Sequence, residues 1–403
     1  MQVQAVSMTL AACLYGATMR SGLFLLAGAL VALASLSALA TPIVPTRDDE
    51  VVDVLPAVNG TRAEERRLRQ QLASAPHDPA LALAAATRYL DQAHELGDPR
   101  FAGMAMAAIE PWKDDATTLD GVLLMRATLQ QYLHEFDASA ASLQRLLARP
   151  GEPRPQAWLT LATVRRVQGR YADSDAACKQ VARAGAALHA NACAAENAAL
   201  RGEAARARGA FNALLADRRL PAATQAWLTT SLAELEQRAG NVAAADAAFQ
   251  ATLRLAPDAY ATLAYADFLI EQKRPAQALA LLKDQPRSDA VLLRLAIAGT
   301  QSGAASAAAD VAEMRERIAL ANERPDAKVF HGREQAMFAL AIDRDAKRAL
   351  QLARGNVAQQ REPLDVLVLT QAARASGDAA ALQEARRLAG EIGLRDQRVE
   401  ALL

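Results

Sequence analysis

The chain has 403 residues, of which 52% are apolar and only 4% aromatic, and its 45 basic residues balance 45 acidic ones. A neutral chain has no general attraction for phosphate backbones or anionic lipids, which argues against non-specific binding to nucleic acid or to a membrane surface. Alanine, the strongest helix former, supplies much of the apolar content, and no segment has the two-residue alternation of a β-strand. The composition therefore predicts an all-α protein.

The first 40 residues have the pattern of an export signal. Residues 21–40 carry no charge, follow Arg20 and end in the small-residue sequence Ala38-Leu39-Ala40. Twenty uncharged, mostly apolar residues are also long enough to remain as an uncleaved membrane anchor. With Arg20 on the cytoplasmic side, both alternatives place the rest of the chain in the periplasm of a bacterium. We predict a signal peptide or anchor at 1–40, starting from Met1 or Met19, and a proline-bearing acidic linker at 41–61.

A helix–turn–helix unit recurs beyond the linker. In its clearest copy a first helix runs to Gly240, and a second helix carries Ala245 and Phe249 and stops at Pro257. Self-similarity at intervals of 30 to 41 residues, with a mean of 35, predicts a solenoid of stacked helical hairpins over residues 62–403. The predicted inter-helix turns are at Gly97, His134, Gly169, Gly202, Gly240, Lys273, Gly303, Arg344 and Gly377.

These units resemble the tetratricopeptide repeat (TPR), whose pattern is W-x2-L-G-x2-Y, then A-x3-F, then P. The matching residues are Trp158, Leu161, Ala162, Ala207, Phe211, Ala245, Phe249 and Pro257. The resemblance covers about residues 80–392 and implies a right-handed superhelical solenoid of about nine hairpins, in which Ala162, Ala207, Ala245 and Ala278 admit close helix contact. Residues 391–403 are expected to form a capping helix whose arginines and Asp396 face water.

Cys178 and Cys193 are the two cysteines beyond the predicted leader. They lie on either side of the turn at Gly185, at nearly equal distances, so an antiparallel helix pair would bring them together. In an oxidising compartment they are predicted to form a disulfide. The alternative is a pair of buried thiols that pack as small apolar groups.

The resemblance also implies a binding groove, because TPR partners bind along the concave surface that the first helices line. Carrying the family's groove position onto this chain places acidic residues in three consecutive units, with aromatic residues one face away at the start of the same first helices. Such a row suits a basic or amine-bearing peptide, although exposed helix positions are often acidic without a binding role. The candidate groove residues are Glu196, Glu234, Asp267, His189, Trp227 and Tyr260.

Residues arranged for catalysis are not evident in the sequence. None of the common hydrolase, nucleotide-binding or zinc-peptidase motifs occurs, and only Asp91, His94 and Glu95 share a helical face suited to a metal. We predict no catalytic residue, no metal and no cofactor, and a non-enzymatic scaffold of the bacterial cell envelope that binds a protein or peptide. The alternatives are a metal-assisted hydrolase and a self-associating structural spacer. Membrane contact is expected only through the N-terminal segment, if it is not cleaved.

Overall fold

The computed structural model describes residues 61–112, 118–323 and 332–403. The predicted signal peptide or anchor, and the predicted linker up to residue 60, lie outside these ranges. Helix α1 begins at Thr61, one residue before the predicted start of the solenoid. The fold class is confirmed, since the described chain is helical throughout and contains no strand.

Twenty α-helices follow one another in the described ranges. The first ten are α1 (Thr61–Ser74), α2 (Pro79–Leu96), α3 (Pro99–Ala108), α4 (Asp120–Tyr132), α5 (Phe136–Leu147), α6 (Pro155–Val167), α7 (Tyr171–Arg183), α8 (Ala187–Leu200), α9 (Ala204–Leu215) and α10 (Ala222–Arg238). The others are α11 (Val242–Leu255), α12 (Ala259–Glu271), α13 (Pro275–Leu282), α14 (Asp289–Ser302), α15 (Ala307–Asn322), α16 (Gly332–Phe338, continued by a π-helical turn at Ala339–Asp343), α17 (Ala346–Val357), α18 (Pro363–Ser376), α19 (Ala379–Ile392) and α20 (Gln397–Glu400).

Helices α2 to α19 pair as nine antiparallel hairpins, which we number units 1 to 9. Each of the nine predicted turn residues has a positive φ, between 54° and 82°. That left-handed conformation ends the first helix and lets the chain reverse into the second. His134, Lys273 and Arg344 are the non-glycine residues with positive φ in the described part of the chain, and they are the three turns that the repeat spacing predicted without a glycine. The turn positions are therefore confirmed.

Small and large side chains alternate in the core between neighbouring units. Phe211 and Phe249 are completely buried, and the rings of Phe249 and Phe268 lie 5.5 Å apart between units 5 and 6. Where two helices approach most closely, only a methyl group fits, and the next unit contributes a large ring to fill the remaining space. The four alanines predicted to allow this contact are fully buried: Ala162, Ala207, Ala245 and Ala278.

The superhelix is tight enough for successive superhelical turns to touch. A Cβ added at Gly97, in unit 1, would lie 2.6 Å from the Cβ of Ser288, which precedes unit 7. The main-chain amide of Arg361, just before unit 9, donates a hydrogen bond of 2.7 Å to the carbonyl of Val167 in unit 3. Both contacts join units six apart, so one superhelical turn takes about six units. The concave interior is therefore a narrow lumen rather than an open groove.

The C-terminal end differs from the predicted capping helix. Helix α19 ends at Ile392 because Gly393 adopts a left-handed conformation, with φ of 74°. The chain then turns towards the interior and forms only the short helix α20. Asp396, expected to face water, is 1% exposed because its carboxylate accepts hydrogen bonds from Arg398 at the start of that helix. We call residues 393–403 the C-terminal tail.

Candidate functional site

A chamber of about 90 Å³ lies inside the superhelix. Its walls come from the first helices of units 5 to 8, from the start of unit 9 and from the tail. Three of the six predicted groove residues line it: Glu234, Tyr260 and Asp267. The structure therefore brings half of the predicted set together: Glu234 lies on α10, and Tyr260 and Asp267 lie on α12.

Glu234 and Tyr260 are joined by a hydrogen bond in which the tyrosine hydroxyl donates to the carboxylate. Burial raises the pKa of Tyr260 well above its usual value, and the negative charge of Glu234 adds to that effect, so the phenol stays protonated as a donor. Arg238 lies one helical turn after Glu234, with a guanidinium nitrogen 3.9 Å from its carboxylate. Arg238 is 6% exposed, and among the described residues its Nε has no hydrogen-bond acceptor. This corner of the chamber thus holds a carboxylate, a phenol and a guanidinium.

Asp267 forms a two-pronged ion pair with Arg294 of unit 7. The guanidinium Nε and Nη2 donate to the two carboxylate oxygens at 2.8 and 2.7 Å, and Nη1 donates to the carbonyl of Ala290 at 3.1 Å. Arg294 is 1% exposed, whereas the side chain of Asp267 is 22% exposed. Burial disfavours the charged guanidinium, but Asp267 outweighs burial and raises the pKa of Arg294. Asp267 is therefore compensated within the chain.

The other three predicted residues lie outside the chamber. Glu196 is buried, where it pairs with Arg166 of unit 3 and accepts a hydrogen bond of 2.9 Å from Ser231 of unit 5. His189 stacks on Trp227, with 5.8 Å between the ring centres. Burial lowers the pKa of His189, which favours the neutral imidazole. The binding role of all six residues stays a prediction.

Arginines from later units and from the tail complete the lining of the chamber, and the repeat pattern did not predict them. Arg333 of unit 8 donates at 2.6 Å to Glu362 and at 2.6 Å to Asp365, both at the start of unit 9. Arg398 of the tail donates at 3.2 Å to Glu271 of unit 6. Arg333 and Arg398 do not share a position relative to the inter-helix turns. Inspecting one position in every repeat therefore does not find them. The predicted acidic row is thus interleaved with guanidinium groups.

The predicted disulfide is present: Cys178 in α7 is bonded to Cys193 in α8, with 5.8 Å between their Cα atoms. Both cysteines are buried in the apolar cluster that also contains Phe211 and Trp227. The bond joins unit 3 to unit 4 within the core, which confirms the pairing inferred from their position around the turn.

One of the three possible metal ligands on α2, His94, packs against an aromatic ring. The His94 ring packs edge-on against Tyr132 at 5.1 Å, and burial lowers the pKa of His94 to about 4. Within residues 61–112, 118–323 and 332–403, no group of three or more His, Cys, Asp or Glu side chains is placed to hold a metal ion. In the same ranges, no helix combines the length and apolar character needed to cross a bilayer.

The repeat type follows from the hairpins themselves. Nine units close at a left-handed residue and recur at a mean interval of 35 residues, and units 4 and 5 bury the small-then-large pair of the A-x3-F pattern, Ala207 with Phe211 and Ala245 with Phe249. The fold is that of a tetratricopeptide-repeat solenoid.

Comparison with known proteins gives only distant likenesses to this TPR-type chain. No family model matches it, and no curated protein matches it at a significant level. Among solved structures it is similar to a tetratricopeptide repeat protein from Parabacteroides merdae, with 15% identity, 67% of this chain and 98% of that chain covered, and a TM-score of 0.38. It is also similar to the Cut9–Hcn1 hetero-tetramer of the APC/C, with 14% identity, 81% of this chain and 59% of that chain covered, and a TM-score of 0.42. For the TPR domain of P58(IPK), the identity is 13%, 81% of this chain and 92% of that chain are covered, and the TM-score is 0.20. The repeat type therefore rests on the chain's own turns and buried positions.

Proposed function

We propose that this TPR-type chain is a non-enzymatic scaffold that binds a protein or peptide partner through its inner surface. The observation that carries the proposal is the chamber, where side chains from five consecutive units and the tail converge. Solenoids recognise partners in this way, because successive repeats each present side chains along one continuous concave face. The charged groups around the chamber are held in pairs, which suits a fixed recognition surface.

The size and lining of the chamber suit one polar side chain of a partner. A volume of about 90 Å³ is too small for a folded segment. Glu234, Asp267 and Glu362 contribute carboxylates to its wall, and Tyr260 contributes an aromatic ring. Guanidinium groups of the same wall come from Arg238, Arg294, Arg333 and Arg398. We propose that a polar side chain of the partner enters here and hydrogen-bonds to these paired carboxylate and guanidinium groups.

A photo-crosslinking experiment on the full chain tests this function. A photoreactive phenylalanine analogue at position 237, whose native glutamine lines the chamber, should crosslink the partner in living cells. The matched position is 255 on α11, whose native leucine is 38% exposed and is not among the chamber residues. We expect a partner adduct at 237 that is absent at 255. Adducts at 255 alone would move the binding surface to the outside of the solenoid.

Three further measurements test the scaffold against the other functions. Glu234→Gln removes one charge from the chamber wall and should weaken crosslinking at 237, whereas Glu384→Gln, on the exposed side of unit 9, should not. Calorimetric titration with Zn²⁺ and sedimentation at rising protein concentration complete the set. Stoichiometric metal uptake would favour a hydrolase, and a rising mass would favour a self-associating spacer.

We also propose a location in the periplasm, as part of the bacterial cell envelope. The charged–apolar–small pattern of residues 20–40 supports export, and the Cys178–Cys193 disulfide suits an oxidising compartment. Fractionation of cells that express the full chain, combined with alkylation of free thiols before lysis, tests both points. Recovery of the chain in the cytoplasm with Cys178 and Cys193 both alkylated would contradict the proposal.

A further inference from the structure

A second cavity, of about 390 Å³, lies between the C-terminal tail and the inter-helix turns of units 4 and 5. The tail is a fixed wall of this cavity, because Leu394 and Val399 are buried together with Val366 and Ile392 of unit 9. The facing wall contains the end of α8, the start of α9 and the end of α10. Small-molecule sites commonly have volumes of about 300–1,000 Å³, so the space is large enough for a small ligand.

Arg238 lies in the walls of both the chamber and this second cavity. Its side chain is 7% exposed, and among the described residues its Nε has no hydrogen-bond acceptor. The carboxylate of Glu234 comes no closer than 3.9 Å, which is beyond hydrogen-bond distance. A guanidinium has five N–H donors, and burial without acceptors costs free energy. A ligand that supplies an acceptor would therefore be stabilised at Arg238.

The acceptors around the second cavity are already in use. The carbonyl of Leu200, at the end of α8, accepts a hydrogen bond of 2.8 Å from the main-chain amide of Arg395. The carboxylate of Asp396 is in the cavity wall and 1% exposed, and it accepts from the amide, Nε and Nη2 of Arg398 at 3.0, 2.9 and 2.6 Å. A ligand that accepts hydrogen bonds thus fits this wall better than one that donates them.

Two more guanidinium groups belong to the wall, Arg201 at the end of α8 and Arg395 of the tail. Arg201 forms an ion pair of 2.8 Å with Asp175, and Arg395 lies 3.6 Å from the carboxylate of Glu400. The Glu400 side chain is also in the wall, and it is 48% exposed. The wall therefore combines three guanidinium groups, counting Arg238, with one solvent-exposed carboxylate.

We propose that the second cavity binds a small ligand with an oxyanion group, a carboxylate or a phosphate, that hydrogen-bonds to Arg238. The planar guanidinium matches two oxygens of such a group in a two-pronged hydrogen bond. Arg201 and Arg395 add electrostatic attraction from the repeats and from the tail, and Glu400 opposes it. The inference goes beyond the proposed scaffold function, because it assigns a separate site to a small ligand and does not require a protein partner.

Isothermal titration calorimetry on the full chain tests this site, with inorganic phosphate and citrate as probes and sodium chloride at equal ionic strength as the reference. Arg238→Met keeps an apolar stem and removes the donors. The matched control is Arg219→Met, which removes the same charge from a side chain that is 91% exposed and not among the cavity residues. Glu400→Gln removes the opposing charge from the wall without removing a donor.

We expect saturable one-to-one binding of phosphate, citrate or both, and the anion that binds identifies the oxyanion group. Binding should be at least about tenfold weaker in Arg238→Met and unchanged in Arg219→Met, because only Arg238 lies in the cavity wall. Glu400→Gln should bind about threefold more tightly, since a like charge next to the anion is gone.

The inference is overturned if neither anion saturates the chain, or if chloride gives the same heat. Equal losses in Arg238→Met and Arg219→Met would also overturn it, because general charge attraction would then explain the binding. If Arg238→Met loses its helical circular dichroism, Glu400→Gln decides the question, since that side chain is exposed. A gain in affinity would then support the site, and an unchanged affinity would remove it.

Discussion

The ion pair between Asp267 and Arg294 gives the sharpest prediction about the inner surface. Its two members differ in their access to water, since Arg294 is 1% exposed and the Asp267 side chain is 22% exposed. Asp267→Ala leaves a buried guanidinium whose remaining acceptor among the described residues is the Ala290 carbonyl. Arg294→Met leaves a carboxylate that water reaches. The two substitutions should therefore destabilise the fold unequally.

The magnitudes follow from these exposures. Removing one partner of a buried ion pair costs about 3–5 kcal/mol, and we expect about 3 kcal/mol for Asp267→Ala because the pair is not fully buried. For Arg294→Met we expect about 1–2 kcal/mol, since the carboxylate left behind is hydrated and the methionine replaces part of the arginine stem. The double variant should recover about 2 kcal/mol relative to the sum of the two, because no unpaired charge remains.

Urea unfolding followed by circular dichroism measures these differences. The matched control is Glu384→Ala, which breaks an ion pair of 2.8 Å with Arg354 between units 8 and 9. Both of those side chains are well exposed, so the loss should stay below about 1 kcal/mol. Equal losses for Asp267→Ala and Glu384→Ala, or no recovery in the double variant, would refute the view that the acidic row is held by buried guanidinium groups.

Three further predictions concern the disulfide, the core and pH. Replacing Cys178 and Cys193 by alanine opens a loop with a sequence separation of 15 and should lower the free energy of unfolding by about 3 kcal/mol, seen as a lower urea midpoint without reductant. Phe249→Ala should cost about 3–5 kcal/mol because the ring is fully buried, whereas Leu255→Ala, 38% exposed, should cost less than about 1 kcal/mol in the same assay. Burial lowers the pKa of His134 to about 4, below the value of about 6.5 in the unfolded chain, so the unfolded state takes up a proton first as pH falls. The contribution of neutral His134 to the free energy of unfolding is thus complete above pH 6.5 and is lost between pH 6.5 and 4. In the variant His134→Asn, whose asparagine tolerates the positive φ, the free energy of unfolding should fall by about 3 kcal/mol less over this pH range. Unfolding curves measured across the range test this expectation.

The inter-helix turns show what local sequence can predict. Each turn needs one left-handed residue between the two helices of a unit, so its approximate position follows from the repeat interval even where His134, Lys273 or Arg344 replaces glycine. The small and large core positions, such as Ala245 and Phe249, follow for the same reason, because each unit packs mainly on its neighbours. The disulfide was predictable too, since its two cysteines are joined by a single turn.

The sequence by itself therefore determined the helical hairpins, their turns, the core between neighbours and the Cys178–Cys193 bond, all of which depend on contacts within one or two units. Only the tertiary structure decided that units six apart touch, that Arg166 and Arg294 pair with Glu196 and Asp267 of the acidic row, and that the tail turns inward. The Arg398–Glu271 contact, for example, joins residues 127 positions apart. Such contacts depend on the curvature that accumulates over many units, and no short-range pattern in the sequence encodes it.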